Sequence, residues 1–341
     1  MNRGAIDERI QTTQRLVDRL RNTLRDALGK HEATIIGDHT TFILTGSAGR
    51  GEMTSGSDID GYVVRIGKPL DKQHDARLLC ATVDALAELG LPPLDRGGEF
   101  LAMKSDSSLI ECLGSANDDH SNALTVRMLF LLEGQPLVGE QAYETLLQTV
   151  QGAYRSTASQ HRNDFLPFFL VNDIIRYWRT VLLNHEDRLR QKKSELEKLG
   201  IQGEELHAQL LAHRRYRSQK LRFPRCATCF SALAYILTLA EAGNVSEECE
   251  KEMFRLAPLE RLARIAELRP GTKAQVSKMR GLYARYLERS HGSKKEIVQR
   301  FRDDPNWSKT VSTEALQFTE EMFRLIQSLG KDSRLYRQML I

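Results

Sequence analysis

Residues Thr45 to Val64 read TGSAGRGEMTSGSDIDGYVV. The run that leads into this stretch, Thr40 to Thr45 (TTFILT), is rich in β-branched and apolar residues and predicts a buried strand. Gly46 breaks that strand, a Gly/Ser-rich loop runs from Ser47 to Ser57, and Ile59 to Ile66 (IDGYVVRI) predicts a second strand. Successive side chains on a strand point to opposite faces, so Asp58 and Asp60 share one face and Ile59 takes the other. Two carboxylates so placed can grip one or two hard cations through oxygen ligands. Gly46, lacking a Cβ, lets the backbone come close to a bound phosphate. Ser47 can offer the same phosphate its hydroxyl and its amide N–H, and Arg50 stands in the loop as an added positive charge.

This combination suits phosphoryl or nucleotidyl transfer. One metal ion would lower the pKa of an attacking hydroxyl, and a second would neutralise the leaving pyrophosphate. In-line positioning and charge stabilisation then do most of the work. A Ser/Gly loop before an acidic strand end, with Asp capping a turn, would also contain Asp-x-Asp. The series in register favours catalysis: strand, Gly-Ser, Arg-Gly-Glu, Ser-Asp-x-Asp, apolar strand.

These residues resemble the signature of the DNA polymerase β-like nucleotidyltransferase superfamily, which is Gly-Ser, a short spacer and Asp-x-Asp. The resemblance runs from the N-terminus to about Ile110; the rest of the chain matches only in general layout. It implies an α+β fold with a small mixed sheet flanked by helices, two divalent ions (Mg2+ or Mn2+) and an NTP or dNTP substrate. It also implies a third carboxylate on a nearby later strand. Glu99 in RGGEFLAM, at the start of a predicted third strand, is the first candidate for that metal ligand. Glu111 in SLIECLG is the second, and Asp106, in a predicted turn, is the third.

Outward from the motif, Ile6 to Leu28 predicts an amphipathic helix, with Ile10, Leu16, Val17, Leu20, Leu24 and Leu28 at helical spacing and Gly29 at its end. Asp71 to Leu89 predicts another, stopped by Pro92 and Pro93. Strands are expected over Glu99–Met103 and Leu109–Leu113, a helix over Thr125–Leu132, and a turn at EGQPLVG (133–139). Beyond about Gln151 the pattern is almost wholly helical. Phe165–His185, Lys192–Leu199, Glu204–Tyr216, Thr228–Ala242, Leu256–Leu268, Lys273–Glu288 and Thr313–Leu329 are the candidates. The expected organisation is a polymerase β-like catalytic domain over 1–150, followed by an all-helical domain over 151–341 that carries a nucleotide- or nucleic-acid-binding surface and a C-terminal tail.

The bulk numbers agree with a folded chain of two domains: 341 residues, 41% apolar and 28% charged. Residues 1–150 hold 15 Lys and Arg against 22 Asp and Glu, whereas 151–341 hold 34 against 23. An acidic half suits divalent metals and a basic half suits phosphate or nucleic acid, although many of the basic residues simply solvate long helices. Cys80, Cys112, Cys226, Cys229 and Cys249 are too sparse and too odd in number for a disulfide framework. The Cys226/Cys229 pair lacks a second ligand pair for zinc and reads as buried helix thiols. Phe165 to Leu183 comes nearest to a membrane span but contains Asp173, Arg176 and Arg179, so the protein is expected not to cross a membrane. The N-terminus lacks a signal peptide's apolar core, and a cytoplasmic location is expected.

In the helical half, Asn172, Arg176 and Arg179 lie at i, i+4 and i+7 on one stripe of an apolar helix, where they face water or a ligand. Guanidinium groups suit triphosphate oxygens, and salt bridging to Asp173 is the alternative. Arg214, Arg215, Arg217, Lys220, Arg222 and Arg225, interleaved with Tyr216 and Phe223, form the densest basic run; stacking and backbone attraction of this kind bind single strands. Lys220 is the favoured phosphate contact.

Three functions remain in play. One is a template-independent enzyme that joins nucleotides into a single-stranded nucleic acid or a second messenger. Another is transfer of one nucleotide to a protein or tRNA, as in regulatory or toxin–antitoxin transferases, where GSAGRGE also occurs. The last is a non-catalytic nucleotide-binding protein, which the intact Asp58 and Asp60 argue against. More narrowly, GSAGRGEMTSGSDID, the large helical C-terminal part and Tyr336 near the C-terminus resemble the nucleotidyltransferases of Hailong anti-phage defence. That resemblance implies a DNA polymerase that makes single-stranded oligodeoxyadenylate from dATP, primed from a C-terminal tyrosine. Its product would hold a membrane-channel partner inactive until infection. Tyr336 is the only tyrosine in the final fifty residues; the alternative is that Leu335, Tyr336, Met339 and Leu340 are one face of a short packed helix.

Overall fold

The computed structural model describes residues 3–54, 56–68, 70–93, 103–161, 164–241 and 245–340. The chain divides into two compact units. One comprises Ile6–Asp173 and Val245–Ala257; the other comprises Ile174–Asn244 and Pro258–Ile341 with Met1–Ala5.

The first unit is built on a mixed sheet of β1 (Thr40–Thr45), β2 (Asp60–Arg65), β3 (Lys104–Ser105) and β4 (Gln135–Val138), in the order β3-β2-β1-β4. β1 pairs antiparallel with β2 and β4, while β2 and β3 are parallel. The helices are α1 (Arg3–Leu28), α2 (Glu32–Ile35), α3 (Gly46–Gly49), α4 (Lys72–Glu88), α5 (Ala116–His120), α6 (Ala123–Glu133) and α7 (Glu140–Tyr154). Every residue of β1 is buried, as its apolar composition predicts. Phe42, Leu44 and Val63 share a core with Val17, Leu20 and Leu24 of α1 and Leu78, Ala85 and Leu86 of α4. Alternation puts Ile43 and Tyr62 on the opposite face, and both are buried as well. Asp71 is the N-cap of α4, its carboxylate accepting from the amides of Gln73 and His74.

Three expectations change. EGQPLVG is not a turn: residues 135–138 form β4, an edge strand, where a proline costs no ladder bond. Arg21 of α1 donates to the Leu137 carbonyl at 2.6 Å and so covers part of that edge. Leu109–Leu113 is not a strand. Ser107–Leu109 is a 3-10 turn, because Ser108 bonds back to Ser105 through both its amide and its hydroxyl and ends the ladder. The Gly/Ser loop opens with a helical turn, α3. The strand expected over Glu99–Met103 lies, except for Met103, outside the described residues.

Arg127 of α6 sits at the centre of a fully buried polar network. Its guanidinium donates to both oxygens of Asp118 (2.9 and 2.7 Å), to Asp173 (2.8 Å), to the Tyr154 hydroxyl (2.7 Å) and to the Leu109 carbonyl (2.7 Å). Tyr154 in turn donates to Asp173 at 2.6 Å. Burial opposes the charge on Arg127, but the Asp118 hydrogen bonds and the contacts with Tyr154 and Asp173 outweigh it and hold the group protonated. Burial also pushes the Tyr154 phenol well above its ordinary range.

The second unit is helical. α8 (Phe168–Lys198) begins in the first unit and is one helix where two were expected. α9 (Gly203–Lys220), a π-helical turn at Leu221–Arg225 and α10 (Cys226–Glu241) run on without a break. Pro224 lies in the π turn, where its missing N–H shifts the hydrogen-bond pattern without ending the helix. This continuous helix, Gly203–Glu241, contains an 18-residue window apolar enough to cross a membrane, at mean hydropathy 1.3, but 83% of that window is buried within the chain. It is therefore a core helix. Cys226 and Cys229 are buried in it as free thiols, and burial pushes the Cys226 thiol up to about 12. α11 (Glu247–Arg255) returns to the first unit, and α12 (Pro258–Leu268), α13 (Lys273–Arg289), α14 (Lys294–Asp303), α15 (Pro305–Gly330) and α16 (Arg334–Leu340) complete the second. α10 packs on α12 and α15.

Candidate active site

β1 ends where β2 begins: Thr45 pairs with Asp60. The chain then turns at Gly46 with φ +63°, a left-handed conformation that favours glycine. A Cβ at Gly46 would lie 2.6 Å from Oδ2 of Asp60, so the backbone and the carboxylate are in direct apposition. α3 is closed by Arg50 N–H donating to Gly46 O at 3.1 Å, and Glu52 N–H donates to Ser47 O at 2.7 Å. Ser47 and Ala48 stand at the start of this turn, where amides have no acceptor within the helix.

A buried ion network holds the turn. Glu133, the last residue of α6, accepts from Gly46 N–H through Oε1 (3.0 Å) and from Arg50 through Oε2 (2.8 Å). Arg50 also donates through Nε to Glu52 at 2.8 Å. Arg50 was expected to offer charge to a phosphate; the structure buries it between two carboxylates, where it shapes the turn. Gly49 admits no side chain, since a Cβ there would lie 2.0 Å from the Glu133 carbonyl. Further along, Thr13 of α1 accepts from Met53 N–H at 2.9 Å. Sequence reasoning passed over Glu133 and Glu52. The signal for Glu133 was a lone acid closing the apolar run ALTVRMLFLL, where a buried charge needs a partner.

The acidic pair lies as alternation requires. Ile59 is buried in the core with Phe42 and Leu44, whereas Asp58 and Asp60 on either side of it are exposed. β2 itself starts at Asp60, so Asp58 belongs to the segment leading into the strand. Two exposed carboxylates one residue apart, beside a glycine that leaves room at one of them, fit a divalent ion. Among the described residues no third His, Cys, Asp or Glu joins them in a group able to hold a metal. Glu111 is exposed in the turns after the 3-10 segment. The Asp106 carboxylate accepts from Gly67 N–H at 3.1 Å. Glu99 lies outside the described residues.

The remaining expected residues are on α8, α9 and α16. Asn172 and Arg179 are exposed on α8 and Arg176 is half-buried. Asp173, buried beside them in the sequence, is bound to Arg127. Lys220 is exposed at the end of α9, its Nζ 5.0 Å over the Tyr216 ring. Tyr336 is half-buried on α16, its ring packed against Gly330, with Leu335 beside it fully buried. The C-terminal segment is thus a short packed helix rather than a loose tail.

A small mixed sheet carries a glycine turn set against an acidic strand end, and one family model matches this part of the chain. Residues 5–104 match the family described as "Putative nucleotidyltransferase DUF294". The match takes in nearly all of α1, with β1, the Gly46 turn, both aspartates and β2, and it supports a nucleotidyltransferase domain in this part of the chain. No curated protein matches the chain.

Proposed function

We propose that the chain is a metal-dependent nucleotidyltransferase that joins nucleotides without a template. One observation carries this reading: Gly46 turns the backbone in a left-handed conformation directly against the Asp60 carboxylate, beside the exposed Asp58. Asp58, Asp60 and Glu99 would hold two Mg2+ or Mn2+ ions, which when bound supply charge neutralisation and a more acidic attacking hydroxyl. The chain's own groups position the substrate. Gly46 leaves space beside Asp60, and Ser47 offers its hydroxyl and amide to phosphate oxygens. Arg50, Glu52 and Glu133 hold the turn rigid, so its donors need no reorganisation as charge develops.

The motif's likeness to the Hailong nucleotidyltransferases supports a narrower reading. In it dATP is the substrate, single-stranded oligodeoxyadenylate is the product, and a membrane channel held closed until infection is the partner. The excess of basic residues beyond 150 supports a polyanionic product.

The test is to incubate the full chain with each labelled NTP and dNTP plus Mg2+ or Mn2+ and resolve the products on a gel. A ladder from one nucleotide is expected. A single nucleotide added to a protein or tRNA would move the chain to the regulatory transferases. Metal binding without turnover of any nucleotide would leave a non-catalytic binding protein and overturn the proposal.

A further inference from the structure

The second unit carries a face of uncompensated positive charge. Residues 199–202 join α8 to α9, and counting outward from that turn brings His185 and Arg188 level with Arg214 and Arg217. Arg188 and Arg214 are exposed and have neither an ion pair nor a hydrogen bond among the described residues. Arg217 is half-buried, and its Nε is enclosed without a hydrogen-bond partner. Arg222, in the π turn, donates to Thr319 at 3.2 Å.

The cations act on one another. Burial and then the Arg188 charge draw the Arg217 guanidinium below its ordinary value. Burial lowers the His185 imidazole, with Glu186 opposing and Arg217, Arg214 and Arg222 reinforcing the shift. The same helix offsets its charges elsewhere. Arg190 pairs with Asp187, Lys192 with Glu195 and Lys193 with Glu197. A merely solvated face would carry such acids at helical spacing. An enclosed, unpartnered guanidinium N–H costs free energy unless a ligand accepts from it, and π turns recur at functional sites.

We propose that this face, centred on Arg217 with Arg188, Arg214 and His185 around it, is a phosphate-binding groove that takes the phosphodiester backbone of a single strand. The identity of the ligand rests on the nucleotidyl-transfer reading; the site does not. Guanidinium groups bind phosphate oxygens in pairs; Tyr216 and Phe223 of the same run, expected to stack on bases, are buried in the core, so the contact is with the backbone phosphates.

The test is fluorescence anisotropy on the full chain in EDTA, so that no turnover occurs. The probes are a labelled oligodeoxyadenylate of about 20 nucleotides and, separately, a fluorescent dATP, each titrated across a salt series. The triple variant Arg188→Gln/Arg214→Gln/Arg217→Gln is expected to weaken oligonucleotide binding at least about tenfold. Its log–log salt slope should fall by about 2, at roughly 0.7 for each phosphate no longer neutralised. The exposed pair Arg188→Gln/Arg214→Gln gives the reading if the triple variant does not fold, with a slope lower by about 1.4. Loss of dATP binding alone would assign the groove to a nucleotide's triphosphate and overturn the single-strand proposal. Unchanged affinity and slope would overturn it too, as would an equal loss in the exposed control Lys295→Gln/Lys309→Gln/Lys331→Gln. Asp60→Asn separates the two readings, because it should abolish incorporation and leave this binding intact. If the wild type incorporates nothing, the binding arms still decide the groove.

Discussion

Gly46 and Asp60 are built in contact: any β-carbon on Gly46 would lie 2.6 Å from Asp60 Oδ2. Gly46→Ala therefore imposes two penalties, a left-handed φ on an alanine and displacement of a carboxylate. The strain is of order 1–3 kcal/mol. Misplacing the carboxylate by about 1 Å is expected to cost on the order of 100-fold in incorporation rate. Thermal melting and a gel assay on the same preparation check both parts. A variant as active as wild type would separate this turn from the chemistry.

Asp58→Ala and Asp60→Ala should each abolish nucleotide incorporation. Both carboxylates are exposed, so stability is expected to change by no more than about 0.5 kcal/mol. Within the same assay, Glu99→Gln should cost far more activity than Glu111→Gln. The reverse order would move the third metal ligand to Glu111.

Arg127→Met removes the cation shared by the buried carboxylates of Asp118 and Asp173. Two buried acids are then left facing each other, and a loss of about 3–5 kcal/mol is expected. Tyr154→Phe deletes only a hydroxyl from the same network and should cost about 1–3 kcal/mol. Denaturant titration of both variants gives the ranking. Equal, small losses would show that the network contributes little to stability.

Acid should destabilise the helical unit. Burial, then the charges of Lys192, Lys294 and Arg217, hold the His213 imidazole down at about 4. An unfolded histidine takes up its proton near 6.5, so the unfolded state binds more protons than the folded one between these values. Stability from His213 is thus complete above about 6.5 and is lost as pH falls toward 4. His213→Gln should flatten the decline in melting temperature over that window. An unchanged pH profile would assign the decline to other groups.

Tyr336→Phe tests priming. Its ring packs against Gly330 with or without the hydroxyl, so the docked tail should persist and melting should be unchanged. Primer-free synthesis should stop, and mass spectrometry of the wild type should find nucleotides on the peptide containing Tyr336. Oligomers made at the wild-type rate with no nucleotide on the tail would exclude this residue as primer.

The alternation Asp58-Ile59-Asp60, the strand Thr40–Thr45 and the helix from about Asp71 to Leu89 were legible in the sequence because each depends on backbone geometry within a few residues. Tertiary structure alone decided the rest. Pro136 reads as a turn until β1 is present to pair with β4 at the sheet edge. Glu204–Tyr216 and Thr228–Ala242 read as separate helices until the π turn at Leu221–Arg225 joins them into one. Glu133 and Arg50 are 83 positions apart and meet only when α6 closes against the turn after β1, turning an expected phosphate ligand into the brace of that turn. Local pattern fixes which side chains share a face, since neighbouring dihedrals are coupled. Which buried charges become partners depends on distant segments being brought together, and only the packed chain, where an unpaired ion is costly, makes that choice.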